Sequence, residues 1–148
     1  FAQSYLHAGM VGFDGEKMSK SRGNLVFVSS LLAEGFDPMA IRLALLSHHY
    51  RDDWEFDYSE LDAATHRLAA WRTALEAPAG PSAAALLEGL RAALRDDLDA
   101  PRALLLMDEW AGEAGAGDPQ APAQVAVILD ALLGLGVAAD AGPSGEPG

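Results

Sequence analysis

The chain has 148 residues, half of them apolar, and it contains no cysteine. A chain of this size can bury a packed core, whereas a disulfide framework and a thiolate nucleophile or metal ligand are excluded. Ten Lys and Arg face 22 Asp and Glu, for a net charge of −12. Residues 1–56 hold five basic against seven acidic side chains, and residues 57–148 hold five against fifteen. Because nucleic-acid binding depends on cations that contact phosphates, the second part does not favour a nucleic-acid-binding surface.

The first residues predict a strand, a turn and a polar loop. A short strand is predicted near Leu6–Val11, and Asp14-Gly15 marks the turn that follows it. His7 could contact a ligand, bind a metal or have a structural role. The structural role is favoured on spacing, because no second metal-ligating side chain of the usual type lies nearby.

The polar loop that follows is the most informative stretch of the chain. It holds two lysines and two serines between Gly15 and Gly23, in the run Lys17-Met18-Ser19-Lys20-Ser21. Lysine ammonium groups are mobile point charges suited to a polyphosphate, and hydroxyl and backbone N–H groups add donors. A polar surface turn that binds nothing is the alternative interpretation of these residues alone.

Two short helices are predicted next. Ser29 or Ser30 is expected to cap the first, and Asp37 caps the second, which runs over residues 39–48. This second helix is apolar on most sides and should be buried against neighbours. Arg42 is its one charged residue and should contact a carboxylate or reach solvent.

The segment after the second helix carries histidines and alternating aromatic residues. Adjacent histidines such as His48 and His49 point in different directions on a helix, so they make a poor metal pair. Trp54, Phe56 and Tyr58 alternate with acidic residues, which predicts an extended segment with one aromatic face.

From residue 59 the chain is predicted to be a bundle of about four helices. Breaks rich in Pro and Gly occur at 77–81 and 112–122, and Ser82 and Asp99 are expected N-caps. The bundle is expected to be loosely attached to the preceding segment. The first helix has a core-facing stripe with spacings of three and four residues: Leu61, Ala64, Leu68, Trp71 and Leu75.

Four segments, in this order, resemble class I aminoacyl-tRNA synthetases. Lys17–Ser21 resembles the signature loop that holds the triphosphate of ATP, and His7–Val11 lies at the spacing of the strand that lines the adenine. Leu46–Arg51 and Asp96–Pro101 resemble two further segments of the cysteinyl-tRNA synthetases. The chain also resembles the synthetase-related cysteine ligases of mycothiol biosynthesis. In it, His-Ala-Gly-Met stands where the synthetases usually have His-Asn-Gly-Phe.

The resemblance implies a mainly α fold that forms the C-terminal part of a class I synthetase-like enzyme. A short β/loop segment would carry the signature loop, followed by the helical bundle. Residues 1–28 would be the edge of the nucleotide-binding catalytic domain and residues 29–58 a connecting segment. Residues 59–137 would be the bundle, and residues 138–148 a disordered tail. The chain is expected to be a fragment of a longer protein.

The resemblance also implies an activity and its residues. Cysteine would be adenylated with ATP and then joined to the amine of glucosaminyl-inositol. Lys17 and Lys20 would be the catalytic cations that meet the charge on the departing pyrophosphate. The ATP- and adenylate-binding residues would be these two lysines with His7, Gly9, Met10, Val11, Met18, Ser19 and Ser21.

The expected cofactors and partners follow from the same family. ATP with Mg²⁺ is the expected nucleotide, and zinc is expected in the intact enzyme on ligands upstream of this chain, with none held within it. The rest of the same enzyme is the expected protein partner, in the cytoplasm, without tRNA and without a membrane. Cysteinyl-tRNA synthetase and a non-enzymatic helical interaction module are the alternatives.

Overall fold

The computed structural model describes residues 5–137, and its secondary structure confirms a mainly α chain with a short β/loop segment before a helical bundle. The prediction of a disordered tail at 138–148 lies outside the described residues. No helix within 5–137 is both long enough and apolar enough to cross a membrane. The described strands are β1 (Val11–Phe13), β2 (Glu16–Lys17) and β3 (Trp54–Glu55). The described helices are α1 (Val28–Ala33), α2 (Pro38–Leu46), α3 (Tyr58–Leu75), α4 (Ala83–Arg95), α5 (Ala100–Gly112) and α6 (Ala121–Leu133).

The three strands form one small sheet with β1 in the middle. β1 is antiparallel to β2 and parallel to β3, with Val11 opposite Trp54. Asp14 and Gly15 join β1 to β2 and both have positive φ, at 56° and 73°, as the two-residue hairpin turns that favour Asp-Gly require. The predicted strand at Leu6–Val11 is wrong, because the partner strands pair with the chain only from Val11 onwards.

The helix starts confirm three predicted caps and correct one. Asp37, Ser82 and Asp99 each accept a hydrogen bond from a backbone N–H in the first turn of α2, α4 and α5. The expected serine cap of α1 is wrong, because the extended backbone ends at Phe27 and the helix begins at Val28. Ser29 and Ser30 therefore lie inside its first turn.

One hydrophobic core runs from Leu31 to Val137. The predicted stripe of α3 faces it, with Leu61, Ala64, Leu68 and Trp71 buried and Leu75 partly buried. The expectation that the bundle is loosely attached is wrong, because α2 is apolar enough to require a neighbour and packs on α3. Arg72 reinforces the contact with an ion pair to Asp37 at 2.8 Å.

Arg42 finds a partner that the sequence did not indicate. Its Nε donates to the backbone carbonyl of Leu133, at 2.5 Å, in the last turn of α6. A cation at this position meets unpaired carbonyls and the negative end of the helix dipole. Arg42 thus joins α2 to the end of the bundle without a carboxylate.

Candidate functional site

The signature loop is closed by the side chain of Asn24. Its Oδ1 accepts from the backbone N–H of Ser19 at 2.9 Å, and its Nδ2 donates to the carbonyl of Lys17 at 3.3 Å. An amide side chain can do both because it carries an acceptor and two donors. Gly23, with a φ of 71°, supplies the turn just before it. The loop therefore has a defined exit beside its start on β2.

Both lysines of the loop point away from the core. Lys17 and Lys20 are exposed, and neither forms an ion pair or a side-chain hydrogen bond within the part of the chain that the structure describes. Arg22 differs, because it pairs with Glu16 across the loop. The hydroxyl oxygens of Ser19 and Ser21 lie 3.3 Å apart, so two further donors are on the same stretch. Two ammonium groups are thus available for an anion.

The predicted nucleotide-binding residues lie on opposite faces of the small sheet. Met10 and Lys17, with Gly12 between them, line an open depression of about 350 Å³. Val11 and Met18 instead line an apolar cavity of about 160 Å³ under the sheet. Alternate residues of a strand face opposite sides, which explains the separation. The structure brings Met10 and Lys17 together and directs Val11 and Met18 into the interior.

The opposite rim of the depression is acidic, but its carboxylates have local partners. Asp53 accepts from the backbone N–H of Met10 at 2.6 Å, and Glu55 accepts from the N–H of Gly15. These bonds hold the segment before β1 and the hairpin turn in place. The depression therefore presents Lys17 and the apolar side chain of Met10 opposite these two carboxylates, while Glu16, beside Lys17 on β2, pairs with Arg22.

Gly9 owes its identity to packing. A Cβ at this position would collide with the backbone carbonyl of Asp52. Its own N–H donates to the carbonyl of Tyr50 at 2.7 Å, so this donor is not available for a base. Since the N–H of Met10 is also used, the exposed side chain of Met10 is the group left for apolar contact.

His7 stands apart from the other predicted residues. Its side chain is exposed, and it lines neither the depression nor the apolar cavity. No side-chain hydrogen bond involves it within residues 5–137. Its place in the nucleotide-binding set thus stays a prediction from the sequence.

Sequence reasoning assigned no role to Asn24 or to Asp53. The Gly-Asn pair after the loop was a local signal for Asn24, since glycine followed by asparagine is typical of turns. No local signal existed for Asp53, because its hydrogen-bond donor is the backbone N–H of Met10, a residue 43 positions away. Both residues fix the backbone around the depression.

Comparison with known proteins shows which proteins have sequences similar to this chain. Residues 1–66 match the family described as tRNA synthetases class I (C) catalytic domain. The chain is 59% identical over 138 residues to the L-cysteine:1D-myo-inositol 2-amino-2-deoxy-alpha-D-glucopyranoside ligase of Thermomonospora curvata, covering 90% of this chain and 33% of that protein. It is 62% identical to the ligase of the same name from Streptosporangium roseum, covering 91% of this chain and 34% of that protein.

A third ligase of this name, from Beutenbergia cavernae, is 55% identical over 137 residues, covering 90% of this chain and 33% of that protein. The chain thus spans about one third of the length of the curated relatives it matches. The similarity covers both the segment matched by the synthetase family and most of the helices beyond it. The chain is therefore similar to these cysteine ligases over about nine-tenths of its length, and its first 66 residues match the class I synthetase family.

Proposed function

We propose that this chain is part of an ATP-dependent ligase that joins cysteine to the amine of glucosaminyl-inositol through a cysteinyl-adenylate. Residues 1–28 form the edge of its nucleotide-binding domain in this proposal. Residues 29–58 form the connecting segment, and residues 59–137 form the bundle. A cytoplasmic location is included, because ATP is a substrate of the reaction.

The observation that carries the proposal is the extent of the similarity. Residues 1–66 alone match the synthetase catalytic domain, whereas identity to the ligases continues over about nine-tenths of the chain at 55–62%. Most of the helical part is therefore shared with ligases that act on cysteine and an amino sugar. Its excess of acidic side chains also disfavours contact with the phosphates of a tRNA.

The first step is adenylation. A carboxylate oxygen of cysteine attacks the α-phosphorus of ATP, and the bond between the α- and β-phosphates breaks as pyrophosphate leaves. Negative charge grows on the leaving pyrophosphate, and positioned cations lower the barrier by meeting it. Lys17 and Lys20 suit this role because they are exposed on one loop and lack ion-pair partners in the described residues.

The neighbouring residues of the site have supporting roles in this proposal. Ser19 and Ser21 donate hydrogen bonds to the phosphates, and Met10 contacts the adenine beside Lys17. Gly9 shapes the same segment through its close contact with Asp52. Val11 and Met18 act from below, as apolar anchors of β1 and the loop.

The proposed reaction involves Mg²⁺, which is bound with the nucleotide, and zinc, which is bound by residues outside the described part of the chain. Mg²⁺ keeps several waters and is usually held by phosphates with one or two carboxylates, so it would arrive with ATP. Across residues 5–137 no group of three His, Asp or Glu side chains is close enough to hold a metal ion. The proposal keeps zinc on ligands upstream of this chain, as the family resemblance implies.

The second step transfers the cysteinyl group. The amine nitrogen of glucosaminyl-inositol attacks the activated carbonyl carbon, the carbon–oxygen bond to phosphate breaks, and AMP leaves. The new amide forms as the nitrogen loses a proton. An amino sugar carries no phosphate backbone, so acidic helices impose no repulsion on it as they would on tRNA.

The test uses the full-length protein with pre-formed cysteinyl-adenylate. Addition of glucosaminyl-inositol should release AMP and form the amide, and addition of tRNA should yield no charged tRNA. Charging of tRNA at physiological salt, without amide formation, would identify a cysteinyl-tRNA synthetase instead. Failure of cysteine-dependent exchange between pyrophosphate and ATP would leave the non-enzymatic helical module.

A further inference from the structure

Two segments singled out in the sequence, Leu46–Arg51 and Asp96–Pro101, meet in space. Asp97 Oδ1 accepts from the Tyr50 hydroxyl at 2.8 Å and lies 3.0 Å from Arg51 Nη2. Arg51 Nε in turn donates to the Tyr50 hydroxyl oxygen at 2.7 Å. His49 Nε2 lies 3.9 Å from the other oxygen of Asp97. Three consecutive side chains of one turn thus converge on one carboxylate of the bundle.

The backbone of the bundle presents this carboxylate in an unusual conformation. Asp97 and Leu98 have φ of 54° and 56°, between the end of α4 and the start of α5. Asp and Asn enter this left-handed region more readily than other side chains. The position therefore combines a demanding backbone with a side chain that faces a distant turn.

The other end of the same turn holds the segment before β1. The Tyr50 carbonyl accepts from the N–H of Gly9 at 2.7 Å, and Asp53 accepts from the N–H of Met10. Trp54 donates its N–H to the Met10 carbonyl at 3.0 Å, which extends the contact into β3. Tyr50 is therefore bound by its hydroxyl to the bundle and by its carbonyl to the nucleotide-side segment.

We infer that Asp97 is a positioning residue that holds the Gly9–Met10 segment at the depression by acting through Tyr50 and Arg51. It does not line the depression itself. This inference rests on the proposed function for its effect on ATP, and on the geometry alone for its effect on the backbone. It gives the bundle a role in nucleotide binding, besides completing the core.

The contact between Asp97, Tyr50 and Arg51 combines hydrogen bonds with an ion pair. The hydrogen bond with Tyr50 and the charge of Asp97 raise the pKa of Arg51 above its usual value, so the guanidinium stays protonated. The Asp97 side chain is 40% exposed and that of Arg51 61% exposed. Exposed ion pairs contribute little, so the charge-assisted bond from the Tyr50 hydroxyl to the Asp97 carboxylate should carry most of the effect, and loss of the negative charge should weaken that bond.

The first test measures amide hydrogen exchange at Gly9 and Met10 in the full-length protein without ligands. Asp97→Asn keeps the shape and the backbone preference but removes the charge, and Tyr50→Phe removes only the hydroxyl. Each should speed exchange at Gly9 by about three- to tenfold, the usual worth of one such bond. Asp96→Asn is the matched control, because its side chain has no hydrogen bond within the described residues, and it should leave exchange unchanged.

A cycle of the two substitutions sharpens the test. If Asp97 acts through Tyr50, the double variant should speed exchange no more than about twofold beyond the stronger single variant. Unchanged exchange at Gly9 in both single variants would overturn the inference. Equal acceleration by Asp96→Asn would overturn it as well, because a general loosening of this turn would then explain the result.

The second measurement is cysteine-dependent exchange of pyrophosphate into ATP by the same variants. Asp97→Asn should raise the KM for ATP about three- to tenfold while kcat changes less than about twofold, since the residue orients binding groups and touches no reacting atom. A fall in kcat at unchanged KM would contradict a positioning role. If the wild-type protein does not exchange pyrophosphate into ATP, the proposed function fails. Hydrogen exchange at the backbone N–H of Gly9 still decides the inference in that case.

Discussion

Different interactions stabilise the signature-loop region and the helical bundle. In the bundle, large side chains such as Trp71, Leu90 and Leu104 are almost completely buried. Around the loop, Met10 and Phe27 remain about half exposed, and the backbone is fixed by polar side chains instead. Asn24 and Asp53 form these hydrogen bonds with the backbone at positions in or near solvent.

This difference separates stability from activity. Apolar burial contributes most of the free energy of folding, so the bundle should dominate the stability of the chain. Hydrogen bonds at exposed positions contribute little to stability but can fix the direction of a loop. A substitution in the buried core of the bundle should therefore act on unfolding, whereas one in the loop should act on the adenylation proposed above.

The largest effect is expected from shortening one side chain in the core of the bundle. Leu90→Ala should lower the free energy of unfolding by about 2–5 kcal/mol, because it removes buried methyl groups and leaves a cavity. Urea denaturation measures this change. Leu105→Ala, at an exposed position of α5, is the control and should have little effect. Equal losses from both substitutions would show that burial is not what stabilises the bundle.

Removal of one loop cation should have a comparable effect on rate. Lys20→Ala should slow adenylate formation about a hundredfold or more, roughly 3 kcal/mol, because charge on the leaving pyrophosphate loses a partner. Pyrophosphate exchange by the full-length protein measures the rate, and Tm should not change.

Two further substitutions control the lysine result. Lys20→Arg should restore only part of the rate, since a planar guanidinium does not replace a compact ammonium. Arg91→Ala removes an exposed cation of the bundle and should leave the rate unchanged. A similar loss from Arg91→Ala would mean that overall charge, and not the loop, determines the rate.

Substitution of Asn24 should produce a smaller loss. Asn24→Ala removes both hydrogen bonds that close the loop and should slow adenylation about tenfold, with little change in Tm. Asn24→Asp keeps the acceptor for the Ser19 N–H and loses the donor to the Lys17 carbonyl. Its rate should therefore lie between the rates of the wild type and Asn24→Ala. Faster trypsin cleavage after Lys17 and Lys20 in Asn24→Ala would support loop opening as the cause. Wild-type kinetics in Asn24→Ala would rule out this role.

The smallest expected effect lies at the start of α3. Hydrogen bonds from Ser59 lower the pKa of Asp57 below its ordinary value of 3.8. The folded-state pKa is depressed, so the stabilisation is present above pH 3.8 and is lost as pH falls through the folded-state pKa. Urea titrations should show that the stability difference between wild type and Asp57→Asn shrinks across this window. Asp62→Asn, on the same helix but without a capping bond, is the matched control in the same titrations.

The sequence alone was sufficient for the core-facing stripe of α3 and for the capping residues Asp37, Ser82 and Asp99, but not for the start of α1. A core-facing stripe such as Leu61 to Trp71 and a cap such as Asp99 depend on residues within a few positions of one another. These interactions are local, so the pattern contains the information. The loop chemistry was accessible for the same reason, because Lys17 and Lys20 are close in sequence.

Errors arose where a partner lies far along the chain. The strand predicted at Leu6–Val11 begins instead at Val11, because β3, some forty residues later, determines where pairing starts. Arg42 bonds to the carbonyl of Leu133, a residue 91 positions away. No periodicity within a single helix could indicate that contact.

The tertiary structure alone decided which predicted site residues share a surface. Strand alternation places Met10 and Lys17 at the depression but Val11 and Met18 beneath it, and this depends on the pairing of β1. It also brought Tyr50 to Asp97 across 47 residues, joining two segments that the sequence presented as separate. Local sequence determines which groups are available, whereas contacts between distant segments determine which of them meet.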